Sequence, residues 1–515
     1  MLGKCYSGTL SGADALTVEI EVFSKEATSS FSIVGLPDQA VREAKDRVST
    51  ALRNSGFSSK REYAVTVNLA PADLKKEGPI YDLPIAVCLA YATGRLACEN
   101  LGDYGIVGEL ALSGEVRRVR GVLPMVMEMR RIGKRAVLVP EANVAEASVV
   151  TGIDVIPVRT LREAVDYLSG ACSIFPVSTD LSTLVEAGAA GGDDFSDVKG
   201  QDMAVRAVEV AVAGGHNMLM IGSPGSGKTM IARRIPSILP PMTVEEALEV
   251  SRIHSVAGPA KGGGVFVVHR PFRAPHHTVS SIGLLGGGTH PVPGEVSLAH
   301  RGVLFLDEFA EFPRQALEVL RQPLEDGHVG VSRASAAYDY PSRFMLVAAM
   351  NPCPCGYFND PHHECRCTQS QILKYQRRVS GPLLDRIDIQ VAASAVPFRE
   401  LQAVSPCRSS AEIRQNVMRA RRIQEERYRT SPGIFTNADV KSRDLAAVCR
   451  LDAMAQEELH RIIERLNLSA RAYDRVLRVA RTVADLRGAE SVEHCDVMEA
   501  AGYRQLDEEG AKFWA

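Results

Sequence analysis

Asn217-Met218-Leu219-Met220-Ile221, Gly222-Ser223-Pro224-Gly225-Ser226-Gly227-Lys228-Thr229 and Met230-Ile231-Ala232-Arg233-Arg234 follow one another without a break. The first five residues read as a short buried strand and the last five as a continuing helix. The eight between them match GxxxxGK(S/T) in full, where the mechanism needs it. Glycines let the backbone wrap closely, so that its N–H groups surround phosphate oxygens at a helix start. Lys228 is expected to neutralise the β- and γ-phosphates of ATP, and the Thr229 hydroxyl to ligate Mg²⁺. All eight are candidate nucleotide-binding residues. The competing reading, a glycine-rich turn matching by chance, does not account for the strand before and the helix after.

Downstream, Gly302-Val303-Leu304-Phe305-Leu306-Asp307-Glu308 is a second apolar strand ending in two carboxylates. Ligands of open α/β sheets bind at such strand ends. Asp307 is expected to hold Mg²⁺ and Glu308 to activate the attacking water. A third strand, Phe344 to Met350, ends at Asn351 before Pro352; its amide could reach between γ-phosphate and water, or simply serve the turn.

This order of motifs resembles the AAA+ ATPases, in which Asn351 corresponds to sensor 1. Phe195 to Gln201 resembles their adenine-side segment. Gly381-Pro382-Leu383-Leu384-Asp385-Arg386-Ile387-Asp388 resembles the LLDR segment of magnesium-chelatase ATPase subunits and MCM helicases. Leu468-Ser469-Ala470-Arg471-Ala472 resembles their sensor 2. The resemblance makes Arg386 a finger inserted into a neighbouring subunit's site and Arg471 a further catalytic arginine. It implies a homo-oligomeric ring, usually a hexamer. The bland alternative is that both arginines pair with nearby acids such as Asp385 and Asp388.

Upstream, Lys75 to Leu83 and the segment from Gly108 through Glu141 resemble the protease domain of Lon. Where Lon carries its nucleophilic serine after Gly-Pro, this chain has Ile80, and the activating lysine falls at Leu123. A Ser–Lys dyad is therefore absent, and an inactive, ring-building or substrate-guiding domain is expected. The implied architecture is an α/β multidomain chain. A Lon-protease-like (ribosomal S5 domain 2-like) α+β domain spans 1–175 and a small, polar linker 176–194. A P-loop AAA+ parallel-sheet core spans 195–396, and an all-helical magnesium-chelatase-type domain 397–515. That order, with Gly214-Gly215-His216-Asn217 and Arg273-Ala274-Pro275-His276-His277, resembles the ComM/YifB family. The family implies ATP-driven branch migration of DNA during natural transformation, hence a helicase-type translocase with single-stranded or branched DNA as partner. Two other functions stay open: a chelatase-type subunit driving metal insertion, and a protein remodeller.

Eleven cysteines are present, seven of them scattered singly, as expected of reduced thiols. Cys353, Cys355, Cys365 and Cys367 form two CxC pairs that suit tetrahedral Zn²⁺, with His362 and His363 as possible substitutes. Free thiols or a redox disulfide are the alternatives. Segments 262–294 and 327–343 interrupt the core, the latter as a hairpin with Arg333 near its tip. Arg333 is the candidate DNA contact, or else a solvated loop charge. The arginine-rich run from Arg414 to Arg429 reads as a solvated helix face. No apolar run reaches the ~20 residues of a membrane span, and the opening segment lacks a secretory pattern, so a cytoplasmic location is expected. The net charge of −3 decides nothing about DNA.

Overall fold

A computed structural model describes the chain except residues 58–60, 188–192, 259–265, 289–291, 333–336, 361, 395–407, 432, 467–468 and 505–515. The N-terminal part is built on a seven-stranded mixed sheet. Leu2–Ser11 and Asp14–Glu26 form its central hairpin. Tyr63–Ala70 pairs antiparallel with the second of these and carries Ser30–Val34 at the edge. On the other side Tyr104–Ile106, Ala136–Pro140 and Asp154–Val158 follow in parallel. Val18, Ile20 and Val22 alternate into the core, as do Val65, Val67 and Leu69. Helix Asp82–Ala92 is apolar all round and buried nearly throughout, as such a helix must be.

The segment expected as a linker is tied to the N-terminal part over its first half. Val177 N–H donates to the Val155 carbonyl (2.9 Å) and Thr179 N–H to the Ser148 carbonyl (2.9 Å). Helix Leu181–Ala187 then packs Leu181 into the N-terminal core. Its small and polar composition concealed an amphipathic turn.

The middle part contains a five-stranded, wholly parallel sheet. Its order is Phe272–Arg273, Val303–Leu306, Met345–Met350, Met218–Ile221, Ile389–Ala392. Met218, Met220, Val303, Phe305 and Val347 face one apolar cluster. Leu219, Ile221, Leu304, Leu306 and Leu346 face another. Both faces are covered, so the strands read as continuous apolar runs. Helices Asp202–Gly214 and Lys228–Ile238 join the first cluster.

The C-terminal part is helical: Ser410–Tyr428, Ser442–Val448, Ala453–Leu466, Ala470–Arg487 and His494–Gly502. It docks on the base of the parallel sheet, the end opposite the P-loop. His216, fully buried, meets Asp388 through Nδ1 (3.3 Å) and Thr482 Oγ1 through Nε2 (2.8 Å). Asn217 joins three strands there: its amide donates to the Arg386 carbonyl (3.0 Å) and its Oδ1 accepts from Leu346 N–H (2.8 Å).

The arginine-rich helix departs from its expected solvated role at two positions. Arg421 donates to the Val212 carbonyl (2.8 Å), and Arg427 pairs with the fully buried Asp485. Helical spacing records the charges but not the buried acceptors that turn them inward. No helix among the described residues is long and apolar enough to cross a membrane.

Candidate nucleotide site

The phosphate loop joins strand Met218–Ile221, which lies between Met345–Met350 and Ile389–Ala392, to helix Lys228–Ile238, whose N-cap Gly227 is left-handed (φ 87°). The chain passes so close to its neighbour that a Cβ on Gly222 would stand 2.0 Å from the Ala393 carbonyl oxygen. Gln201, in the segment expected on the adenine side, donates to the Ser226 carbonyl (3.0 Å) and so braces the loop.

Lys228 lies under the loop. Its ammonium donates to the carbonyls of Gly222 (2.6 Å) and Ser223 (2.9 Å), to Ser226 Oγ (3.3 Å) and to Asn351 Oδ1 (3.3 Å). Burial pulls its pKa down to about 8, against a smaller opposing pull from Asp307. The Thr229 hydroxyl donates to Asp307 Oδ2 (2.7 Å). Two hard oxygen donors at that spacing, beside the loop, suit Mg²⁺ after a slight widening.

Glu308 turns its backbone into the left-handed region (φ 53°), which holds its side chain at the strand end. The carboxylate meets His277 Nδ1 at 2.8 Å. His277 stacks on His276 (centroids 4.1 Å) and abuts Phe312. In the sequence this His-His pair carries only a family resemblance. Its signal was position: the pair follows Phe272–Arg273, the strand beside the one that delivers Glu308.

Lys228, Thr229, Asp307, Glu308 and Asn351 thus converge at the carboxyl ends of adjacent parallel strands. Arg386 and Arg471 do not join them. Arg386 precedes strand Ile389–Ala392, whose register with Met218–Ile221 puts it at the base of the sheet. Four residues of strand, about 13 Å, separate that base from the loop. Its guanidinium is tied to Glu325 and the Pro382 carbonyl, in place of Asp385 or Asp388. Arg471 is exposed in the first turn of helix Ala470–Arg487; one turn on, Arg475 reaches Asp388 (3.5 Å) at the same base. From the base of the sheet Arg386 does not reach its own chain's phosphate loop.

The loop after Asn351 gathers Cys353, Cys355, Cys365 and Cys367, whose sulfurs all lie within 4.8 Å of one another. Three of the separations are 3.4, 3.7 and 3.6 Å. A tetrahedron with Zn–S of about 2.3 Å has S–S edges of about 3.8 Å, so the donor set fits that ion. These separations are far from the ~2.05 Å of a disulfide. Burial pushes the Cys355 thiol up, but the N–H groups of Tyr357 and Arg366 and the neighbouring Cys353 and Cys367 together bring the pKa down to about 6. The His363 ring turns instead to Asp360 (3.3 Å).

Strands His328–Ser332 and Ala337–Pro341 form the expected hairpin; the candidate contact Arg333 lies outside the described residues. Tyr340 packs with Ala13, Ile253 and Val256 against the N-terminal part. Within the 262–294 segment, Phe266–His269 form no strand. Between the hairpin and the N-terminal sheet lies a cavity of 810 Å³, lined by Lys75, Gly78, Ile80, Arg118, Tyr338 and others. Ile80 and Leu123 are both buried.

Three family models match: "Magnesium chelatase, subunit ChlI" over residues 194–401, "Subunit ChlI of Mg-chelatase" over 18–143, and "Magnesium chelatase, subunit ChlI C-terminal" over 407–504. Competence protein ComM of Haemophilus influenzae is 41% identical over 510 residues, 98% of each chain. YifB of Escherichia coli is 41% identical over 499 residues, 96% of each. An archaeal Lon protease of Methanocaldococcus jannaschii is 40% identical over 80 residues, 16% of this chain and 12% of that protein. With a P-loop on a parallel sheet and similarity running nearly end to end, this chain belongs to the ComM/YifB family of magnesium-chelatase-like AAA+ proteins.

Proposed function

We propose that the chain is a ring-forming ATPase that couples ATP hydrolysis to movement on single-stranded or branched DNA. The observation that carries the ATPase reading is the convergence of Lys228, Thr229, Asp307, Glu308 and Asn351 at one edge of the sheet. On nucleotide binding, Lys228 exchanges the Gly222 and Ser223 carbonyls for β- and γ-phosphate oxygens, while the loop N–H groups take the remaining oxygens. Thr229 and Asp307 would hold Mg²⁺, which when bound neutralises charge on the phosphates. Asn351, already beside Lys228, bridges γ-phosphate and water. Glu308 orients the attacking water, and His277 fixes which way its carboxylate points.

The remote position of Arg386 supports a finger acting in trans: a guanidinium at the base of one sheet can serve the exposed P-loop edge of a neighbouring copy. Arg471 is proposed to act in the same shared site. Such a site requires an oligomer, and a hexamer is our reading. The Cys353–Cys367 loop holds a structural Zn²⁺. Ile80 and Leu123 in place of a nucleophile and base support an N-terminal domain without protease activity. Its cavity beside the 328–341 hairpin favours a role in guiding substrate. The DNA reading rests on the full-length likeness to a competence protein and on the hairpin, with Arg333 as its contact. A chelatase-type motor is the second reading, favoured by the three family models.

Steady-state ATPase activity with no polymer, single-stranded DNA, a branched junction or an unfolded protein separates these readings. Stimulation by DNA, lost in Lys228→Ala and Glu308→Gln, is expected. Stimulation by unfolded protein alone would replace the DNA motor with a remodeller, and indifference to both would leave chelation.

A further inference from the structure

The cysteine loop touches the phosphate loop directly. Between its two CxC pairs lies Asp360, whose side chain is 2% exposed. Its Oδ2 accepts the hydroxyl of Ser223. Its Oδ1 accepts the N–H groups of His362 (2.8 Å) and His363 (2.9 Å). A second contact lies just after Cys355. Gly356, in the left-handed region (φ 87°), approaches Pro224 so closely that a Cβ would stand 2.5 Å from Pro224 Cδ. Ser223 and Pro224 are positions that the phosphate-loop pattern leaves free, so phosphate binding alone does not demand these partners. Both contacts come from a segment whose ends are the four sulfurs.

We propose that Cys353–Cys367 is a metal-dependent brace for the phosphate loop, with Asp360 as its positioning residue. This rests on reading 222–229 as the ATP site. A tetrahedral ion on four thiolates fixes both ends of the excursion that carries Asp360. The carboxylate then holds Ser223, and Gly356 seats Pro224. A loop already ordered loses less conformational entropy when nucleotide arrives, so its affinity is higher. Without the ion, the crowded sulfurs have nothing to hold them together, and both contacts loosen. Metal occupancy therefore sets nucleotide affinity at a distance from the phosphates, and a chelator or thiol oxidant acts on the nucleotide site without touching it.

The test is a cycle in which the dissociation constant of a fluorescent ATP analogue is measured for wild type and Asp360→Ala, each with zinc and after chelation. Wild type purified without chelator is expected to carry about one zinc per chain, and chelation to weaken its binding about tenfold, within the usual range of coupling between sites. Asp360→Ala is expected to keep its zinc and to bind as weakly as chelated wild type, with little further loss on chelation. Asp360→Asn still accepts from Ser223 and should fall between. In turnover the loss should appear in KM rather than kcat. Unchanged affinity in Asp360→Ala, or losses from chelation and mutation that simply multiply, would overturn the proposal. If chelation unfolds the protein, the zinc-loaded Asp360→Ala and Asp360→Asn pair still decides. Failure of the underlying reading looks different: no analogue would bind to wild type in any state.

Discussion

Raising the pH from 7 to 9 should weaken nucleotide binding about tenfold, because the lysine that receives the phosphates loses its proton in that range. Burial holds Lys228 at about 8 in the free protein. Its charged fraction then falls from about nine-tenths at pH 7 to about one-tenth at pH 9. An ordinary lysine, near 10.4, would remain charged throughout. Bound phosphates favour the ammonium, so binding takes up a proton: about half a proton per nucleotide at pH 8 and close to one at pH 9. Stability moves the other way. The folded chain binds fewer protons than the unfolded chain between about 8 and the ordinary lysine range, so this group's contribution to stability rises with pH there. Weaker binding at pH 9 is therefore not unfolding driven by Lys228. Calorimetric titration with a non-hydrolysable ATP analogue, in buffers of different ionisation enthalpy, reads affinity and proton uptake together. Lys228→Arg, charged at every pH used, should flatten the profile. A flat profile in wild type, with no proton uptake, would mean that Lys228 stays charged across this range.

Other expectations concern the separate parts. Asp485 is fully buried and accepts from Arg427 (2.8 Å), Arg481 (2.9 Å) and Asn437 (2.8 Å). Asp485→Asn strands Arg481, itself 1% exposed, and should destabilise the helical domain by about 3–5 kcal/mol in urea melts; a loss under about 1 kcal/mol would show that the cluster is not a brace. Glu308→Gln should bind ATP nearly as wild type does but turn over at least ~100-fold more slowly; loss of binding instead would place the carboxylate elsewhere in the cycle. Arg386→Ala and Glu308→Gln should each be nearly inactive alone and regain activity when mixed, since a mixed interface can combine an intact finger with an intact carboxylate. No recovery in demonstrably mixed oligomers would argue against a finger in trans. Arg333→Ala should spare basal ATPase and weaken DNA binding, and the same affinity as wild type across a salt series would count against that contact.

What was legible in the sequence was what is contiguous. Strand, glycine loop and helix from 217 to 234 lie in one run, and Asp307, Glu308 and Asn351 each end an apolar run of recognisable length. Pairings between distant segments left no local trace. His277 finds Glu308 across 31 residues, and Ser223 finds Asp360 across 137. Asn217 reads as the first residue of a strand until its amide is seen joining the Arg386 carbonyl to Leu346. Arg427 reads as solvated until Asp485 is brought beneath it by a helix 58 positions away. The arginines assigned to catalysis came from family patterns, and their remoteness from the P-loop became visible only with strand register.

Displacement of a labelled strand from a branched DNA junction, with Glu308→Gln as the control, decides whether hydrolysis drives movement on DNA. Displacement should need ATP and Mg²⁺, disappear in Glu308→Gln and accompany DNA-stimulated hydrolysis. Steady hydrolysis indifferent to the junction, with the labelled strand left in place, would contradict such movement.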